Sequence, residues 1–247
     1  MSDFKSLLQQ FGKALADCEE LYVGGGRECA EQHPELITDS PLEFVQLMDD
    51  LHKGLLVKIY VTVAEADRTW SREEQQLAGH LFQHIWDQRL RGKRLSEALR
   101  QVSRQSLDLK WYSLIRPFDQ MAPLRNRIGQ LETVVMRVAN LVAKADGEVA
   151  PQERKYLVEI QGMLDRNLRP IPLDEPGQHE TAQSVGTEAV RAMKSDVKDI
   201  RAQYDLPDGQ TRPEPPQKTR EELLQEVQEE LDGLVGIATT SSRTSAT

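Results

Sequence analysis

A short pattern that occurs twice constrains the fold of this chain more than any other feature of its sequence. The first copy reads Val-Ala-Glu-Ala-Asp at 63–67 and continues to Glu74, and the second reads Val-Ala-Lys-Ala-Asp at 142–146 and continues to Glu153. The offset is a constant 79 positions, and it also aligns apolar residues of the two copies. Self-similarity at a fixed offset is typical of a duplicated supersecondary unit. The pattern therefore predicts two related helix-turn-helix halves.

The apolar residues recur with the spacing of α-helices, as Leu7, Phe11 and Leu15 do near the N-terminus. No alternating pattern of useful length indicates a β-strand. A chain of 247 residues with 38% hydrophobic content can bury the core of one main domain. We therefore predict an all-α fold, a helical bundle of two related helix-turn-helix halves with a flexible helical C-terminal extension.

The domain organisation follows from changes in composition along the chain. Prolines and polar residues after position 168 predict linkers, and the hydroxyl-rich end predicts a disordered tail. The glycines at 24–26 follow no apolar strand, so they predict a flexible connector. The predicted segments are an N-terminal helix and loop at 1–40, a helical domain at 41–168, linkers with one helix at 169–217, a docking helix at 218–237 and a disordered tail at 238–247.

The predicted docking helix carries an apolar stripe that suits packing against a protein partner. The stripe consists of Leu223, Leu224, Val227, Leu231 and Leu234.

Charge and cysteine usage limit the function classes. The net charge is −9, although residues 88–127 carry ten Lys or Arg against three acidic residues. The aromatic and glycine motifs of RNA-binding domains are absent there, so we interpret the basic segment as a solvated helix face and expect no nucleic-acid partner. Charges interrupt every apolar run, and the N-terminus lacks a signal peptide, so we expect a cytoplasmic protein without a membrane span. Cys18 and Cys29 fit free thiols better than a disulfide framework or a metal knuckle.

The acidic residues of the repeated motif have a structural interpretation. Ser71 and Glu74 form an S-x-x-E capping box, and Gly147 suits the left-handed end of a helix. Pro151 and Glu153 then fall at the first and third positions of the next helix. Capping accounts for both glutamates without ligand chemistry.

A second interpretation makes the same region a site for a hard cation, Ca²⁺ or Mg²⁺, because carboxylates from both copies converge near a pseudo-twofold axis. Its candidate ligands are Asp67, Glu74, Asp146, Glu148 and Glu153. An EF-hand is excluded because its first and third ligand positions would be Val142 and Lys144. Both interpretations, capping alone and capping with metal binding, stay open on the sequence.

His80 and His84 stand one helical turn apart, which is a spacing that transition metals use. No further His or Cys cluster completes four ligands, so we interpret them as surface or boundary histidines. No arrangement of Ser, His and Asp or of Cys and His indicates a nucleophilic enzyme, and we expect no catalytic residues and no required cofactor.

The segment Val-Ala-Lys-Ala-Asp-Gly-Glu-Val at 142–149, with Glu153, resembles the signature of the TerB-like helical domain of tellurite-resistance proteins. That domain is also similar to the N-terminal region of membrane-associated DnaJ-type co-chaperones. In the first copy, Arg68 replaces the turn glycine and Trp70 replaces Val149. The resemblance implies an all-helical fold of two related halves, an acidic surface proposed to bind metal, and an accessory or stress-response role without catalysis.

A shorter segment, Glu-Glu-Leu-Asp-Gly-Leu-Val-Gly-Ile at 229–237, resembles the lead-in of AAA+ ATPases of the stage V sporulation protein K and CbbX type. No GxxxxGK[ST] phosphate loop occurs in the sequence, so this chain by itself is not expected to hydrolyse ATP.

The sequence therefore predicts a non-enzymatic interaction or regulatory module of the TerB-like type, as the accessory N-terminal region of an AAA+ ATPase in stress response. The alternative is a divalent-metal-binding stress protein.

Overall fold

The computed structural model describes residues 2–37, 40–66 and 70–168, and every regular element in these ranges is helical. The predicted all-α fold is confirmed. The helices of the described ranges are, in chain order, α1 (Ser2–Glu19), α2 (Gly25–Gln32), α3 (Pro41–Ala64), α4 (Arg72–Trp86), α5 (Gly92–Ser106), α6 (Trp111–Gln120), α7 (Ala122–Arg125), α8 (Ile128–Ala143) and α9 (Pro151–Asn167). A π-helical turn, Glu20–Gly24, joins α1 to α2.

Several predicted features lie outside the described residues. These are Asp67 of the first motif copy, and the linkers, docking helix and tail at 169–247 with their apolar stripe. Within the described ranges, no helix has both the length and the apolar character that crossing a bilayer requires.

Helix α3 lies at the centre of the described bundle. Its consecutive residues Leu55, Leu56 and Val57 are all fully buried, so this part of the helix has no solvent-facing side. Helices α2, α4, α5, α6, α8 and α9 all pack against α3. The N-terminal helix α1 packs mainly on α8 and α4. The core therefore combines the N-terminal helix with both copies of the repeated motif.

The glycines at 24–26 correct a prediction from the sequence, because they are helical and do not form a flexible connector. Gly25 and Gly26 are buried at the start of α2. A Cβ atom on Gly26 would lie 2.8 Å from Cγ of Met48 on α3. The missing side chain thus allows α2 to approach α3 closely.

Both cysteines are buried free thiols, as the sequence predicted. Burial raises the pKa of the Cys29 thiol to about 11, with smaller contributions from Glu35 and Glu28. Burial likewise raises the pKa of Cys18. A thiol with a raised pKa carries little thiolate at neutral pH, so the surroundings of neither cysteine activate it as a nucleophile.

Candidate functional site

The first copy of the motif begins α4 with a reciprocal cap. The Ser71 hydroxyl oxygen accepts a hydrogen bond from the Glu74 backbone N–H at 3.1 Å, and Glu74 Oε2 accepts one from the Ser71 N–H at 2.7 Å. Glu74 is buried, and the Tyr60 hydroxyl donates to its carbonyl oxygen at 2.8 Å. The capping box predicted from the S-x-x-E pattern is confirmed.

The second copy forms the turn between α8 and α9. Asp146 Oδ1 accepts a hydrogen bond from the Glu148 backbone N–H at 3.1 Å, and Gly147 has a φ of 94°, in the left-handed region that favours glycine. Glu153 Oε2 accepts from the Ala150 N–H at 2.7 Å. Because alanine has no side-chain oxygen, only the glutamate half of a capping box forms at this helix start.

The structure gives structural roles to two of the five predicted cation ligands. Glu74 and Glu153 are buried, and each accepts a backbone N–H at the start of a helix. Asp146 and Glu148 are exposed, and Asp67 lies outside the described residues. Among the residues that the structure describes, the acidic side chains of the two turns do not form a group with three ligand atoms within 4.8 Å of one another. The Ca²⁺ or Mg²⁺ site therefore stays a prediction.

A different group of metal-ligating side chains lies where α1, α3 and α4 meet. Glu19, His52 and His84 each place one ligand atom within 4.8 Å of the others. Oε2 of Glu19 lies 3.5 Å from Nε2 of His84, and the two imidazole rings stand nearly perpendicular with centroids 5.8 Å apart. The Glu19 side chain is 51% exposed, whereas His52 is 2% exposed. This cluster, called the histidine–glutamate cluster below, thus reaches solvent on its Glu19 side.

The backbone of α3 fixes the orientation of His52. Its Nδ1 lies 2.8 Å from the Asp49 carbonyl oxygen, which can only accept, so Nδ1 carries the proton and donates it. The Asp49 carboxylate lies 3.2 Å from the same nitrogen. In the neutral ring, the other nitrogen, Nε2, then carries the lone pair. It is buried and has no hydrogen-bond partner within the described part of the chain.

His84 completes the cluster from α4. Its Nε2 is also buried and accepts no hydrogen bond from any described residue. Burial lowers the pKa of His84 below its ordinary value, and His52 lowers it further, which outweighs the opposite effect of Glu19. The neutral imidazole of His84, which is the form that binds a metal ion, is therefore favoured.

A second candidate site is a groove bounded by α3, the end of α5, the start of α6 and α9, with a volume of about 520 Å³. Apolar side chains that line it are Val61, Trp111, Ile160 and Met163. Leu107, which follows α5, also lines the groove and is 74% exposed. Leu107 thus adds solvent-facing apolar surface to a concave region, which is the shape that binding sites have.

Polar contacts hold the groove in shape between α3 and α5. Lys58 Nζ donates to the Ser106 carbonyl oxygen at 2.6 Å and lies 5.9 Å from the centroid of the Trp111 ring. The Ser103 hydroxyl donates to the Glu65 carboxylate. Burial lowers the pKa of Lys58, although Asp108 acts in the opposite direction. Lys58 therefore supplies a hydrogen-bond donor to the C-terminal end of α5 and lines one side of the groove.

Sequence reasoning missed Glu19 and His52. It paired His84 with His80, but His80 is exposed and His84 faces His52. His52 carried a usable signal, since it stands four residues after Met48 and four before Leu56 on the apolar face of a helix, and a buried histidine needs partners for both ring nitrogens. Glu19 carried no such signal, because it is one of many exposed acidic residues.

The described fold is an all-helical bundle. Residues 55–169 match the family model described as tellurite resistance protein TerB. This match supports the TerB-like helical domain that the sequence predicted, whereas the AAA+ resemblance at 229–237 is not shown by the comparisons. Comparisons with curated proteins and with solved structures give no match.

Proposed function

We propose that this chain is a non-enzymatic interaction module of the TerB-like type that binds a protein partner in the groove between α3, α5, α6 and α9. The observation that carries the proposal is a concave groove of about 520 Å³ whose apolar lining reaches solvent mainly through the exposed Leu107 and the half-buried Trp111.

The chemistry of the groove indicates the kind of segment that it accepts. Its apolar side chains are flanked by two cations, Lys58 and Arg166, and by two anions, Glu65 and Glu159. An amphipathic helix presents a narrow apolar stripe with charged residues of both signs beside it, which is complementary to this arrangement. We therefore infer that the occupant is an amphipathic helix of a partner protein.

The partner class that we propose is an AAA+ ATPase. The support for this finer proposal is the sequence at 229–237 and the apolar stripe of residues 223–234 that precedes and overlaps it. On this proposal the stripe is a second docking element for the same partner.

The test compares two single substitutions on exposed leucines. Leu107→Glu places a charge in the groove, and Leu42→Glu places the same charge on a residue that is 77% exposed at the start of α3. Leu42 lies 16 residues before Lys58 on the same helix, or about 24 Å away at the helical rise of about 1.5 Å per residue. Each variant and the wild type are used for quantitative affinity purification, and each specific partner is then purified and titrated by calorimetry.

We expect Leu107→Glu to weaken partner binding by at least about 30-fold, the cost of about 2 kcal/mol for a hot-spot residue. Leu42→Glu is expected to bind like the wild type. Equal affinity of all three proteins would contradict the groove as the binding site. A specific partner without an AAA+ module would contradict the partner class and leave the interaction module standing.

A further inference from the structure

We propose that Glu19, His52 and His84 bind a divalent transition-metal ion of the Zn²⁺ class at the junction of α1, α3 and α4. The site does not depend on the groove or on the acidic turns. Of its three residues, only His84 lies within the segment that matches the TerB family model.

The distances fit such an ion. Zinc bonds to imidazole nitrogen and carboxylate oxygen are about 2.0–2.2 Å long, so two ligand atoms of a tetrahedral ion lie about 3.4 Å apart. Glu19 Oε2 and His84 Nε2 are already 3.5 Å apart. The remaining pairs lie within 4.8 Å, and the half-exposed Glu19 side chain and the partly exposed His84 side chain can close that difference by small rotations.

An independent observation indicates a ligand, namely the buried Nε2 of His52, which has no hydrogen-bond partner among the described residues. This side chain is 2% exposed, and its Nδ1–H is already donated to the Asp49 carbonyl oxygen. In the neutral ring its Nε2 therefore needs a donor or a metal ion, and Nε2 is buried without a hydrogen-bond partner among the described residues. A backbone carbonyl that fixes the tautomer of a histidine in this way is the usual outer-shell arrangement of histidine metal ligands.

The kinds of ligand atom determine which metal ions this site favours. Two imidazoles and one carboxylate suit Zn²⁺, Co²⁺, Ni²⁺ or Cu²⁺, whereas Ca²⁺ and Mg²⁺ prefer sites made of oxygen atoms. Three protein ligands leave one tetrahedral position for water or for a group from a partner. Because the ligands come from three helices, a bound ion would tie the N-terminal helix α1 to α3 and α4.

The experiment titrates the chelator-treated full chain with Co²⁺ alone and with Zn²⁺ alone. The visible ligand-field absorption of Co²⁺ reports the coordination geometry, and calorimetry with Zn²⁺ reports the affinity and the stoichiometry. The test variants are Glu19→Gln, which changes an exposed side chain, and His84→Ala. The matched control is His80→Ala, since His80 is an exposed histidine one turn earlier on the same helix. Circular dichroism establishes that each variant is folded.

We expect one ion per chain, a tetrahedral Co²⁺ spectrum that Zn²⁺ abolishes, and a loss of affinity of at least about tenfold in Glu19→Gln and in His84→Ala, because even outer-shell changes cost about 10–100-fold. His80→Ala should bind like the wild type. The proposal is overturned if binding is not saturable, or if Glu19→Gln and His84→Ala bind as tightly as the wild type. Glu19→Gln changes an exposed side chain and is expected to fold. It therefore tests the metal site by itself even if His84→Ala does not fold.

Discussion

Glu153 is the residue whose substitutions separate capping alone from capping with cation binding. Its Oε2 accepts the hydrogen bond of the Ala150 N–H at 2.7 Å, and only 7% of the residue is exposed. Glu153→Ala removes the acceptor. Glu153→Gln keeps a side-chain oxygen at the same position, and glutamine also occurs at this position of capping boxes.

The expected loss of stability follows from the Ala150 N–H, which Glu153→Ala leaves without its acceptor. A hydrogen bond to a charged acceptor contributes about 1.5–3 kcal/mol, and a buried donor without a partner costs about 1–3 kcal/mol. These two figures describe the same lost bond, so we expect Glu153→Ala to lower the free energy of unfolding by about 2 kcal/mol. For a domain of about 150–250 residues this corresponds to a fall in Tm of about 4–8 °C. Glu153→Gln should retain most of the wild-type stability.

The assay is urea unfolding together with thermal melting, first in chelator and then with added Ca²⁺ or Mg²⁺. Glu148→Ala is the matched control, because it removes an exposed carboxylate from the same turn and is expected to change stability by no more than about 0.5 kcal/mol. Equal destabilisation by Glu153→Gln and Glu153→Ala would refute capping as the role of this side chain. A rise in Tm with the cation in the wild type that Glu153→Gln abolishes would establish that the turn also binds the cation.

Two further predictions concern the core. Burial raises the pKa of Tyr22 and of Tyr60 well above the ordinary value of 10, so the folded chain retains protons that the unfolded chain releases, and stability falls as pH rises above 10. The tyrosinate absorbance should therefore appear for these two residues only as the fold is lost, and their ionisation near pH 10 in the folded protein would contradict the burial. Gly26→Ala should destabilise by about 1–3 kcal/mol, because the new Cβ would lie 2.8 Å from Met48 Cγ. Gly12→Ala on α1, where a Cβ meets nothing within 4 Å, should instead be neutral or stabilising in the same denaturation assay.

Features that depend on neighbours three or four residues away could be predicted from the sequence. The capping box of Ser71 and Glu74, the left-handed glycine at 147 and the helix start at Pro151 are all as predicted. Such features are set by hydrogen bonds between a side chain and the backbone of the next helical turn. The same holds for the all-α fold, because the helical period of the apolar residues runs along the chain.

The tertiary structure decided the features that depend on residues far apart in sequence. The glycines at 24–26 looked like a flexible connector, yet they are helical because close packing of Gly26 on Met48 offsets the poor helix propensity of glycine. The histidine–glutamate cluster joins Glu19 to His52 and His84 across three helices. The sequence itself determined the amphipathic helices and the caps made by Ser71, Glu74 and Glu153, since a local pattern encodes each. Only the packing of α1, α3 and α4 decided that His52 lies beside Glu19 and His84. Residues this far apart in sequence become neighbours only through the arrangement of all the helices, which no local pattern encodes.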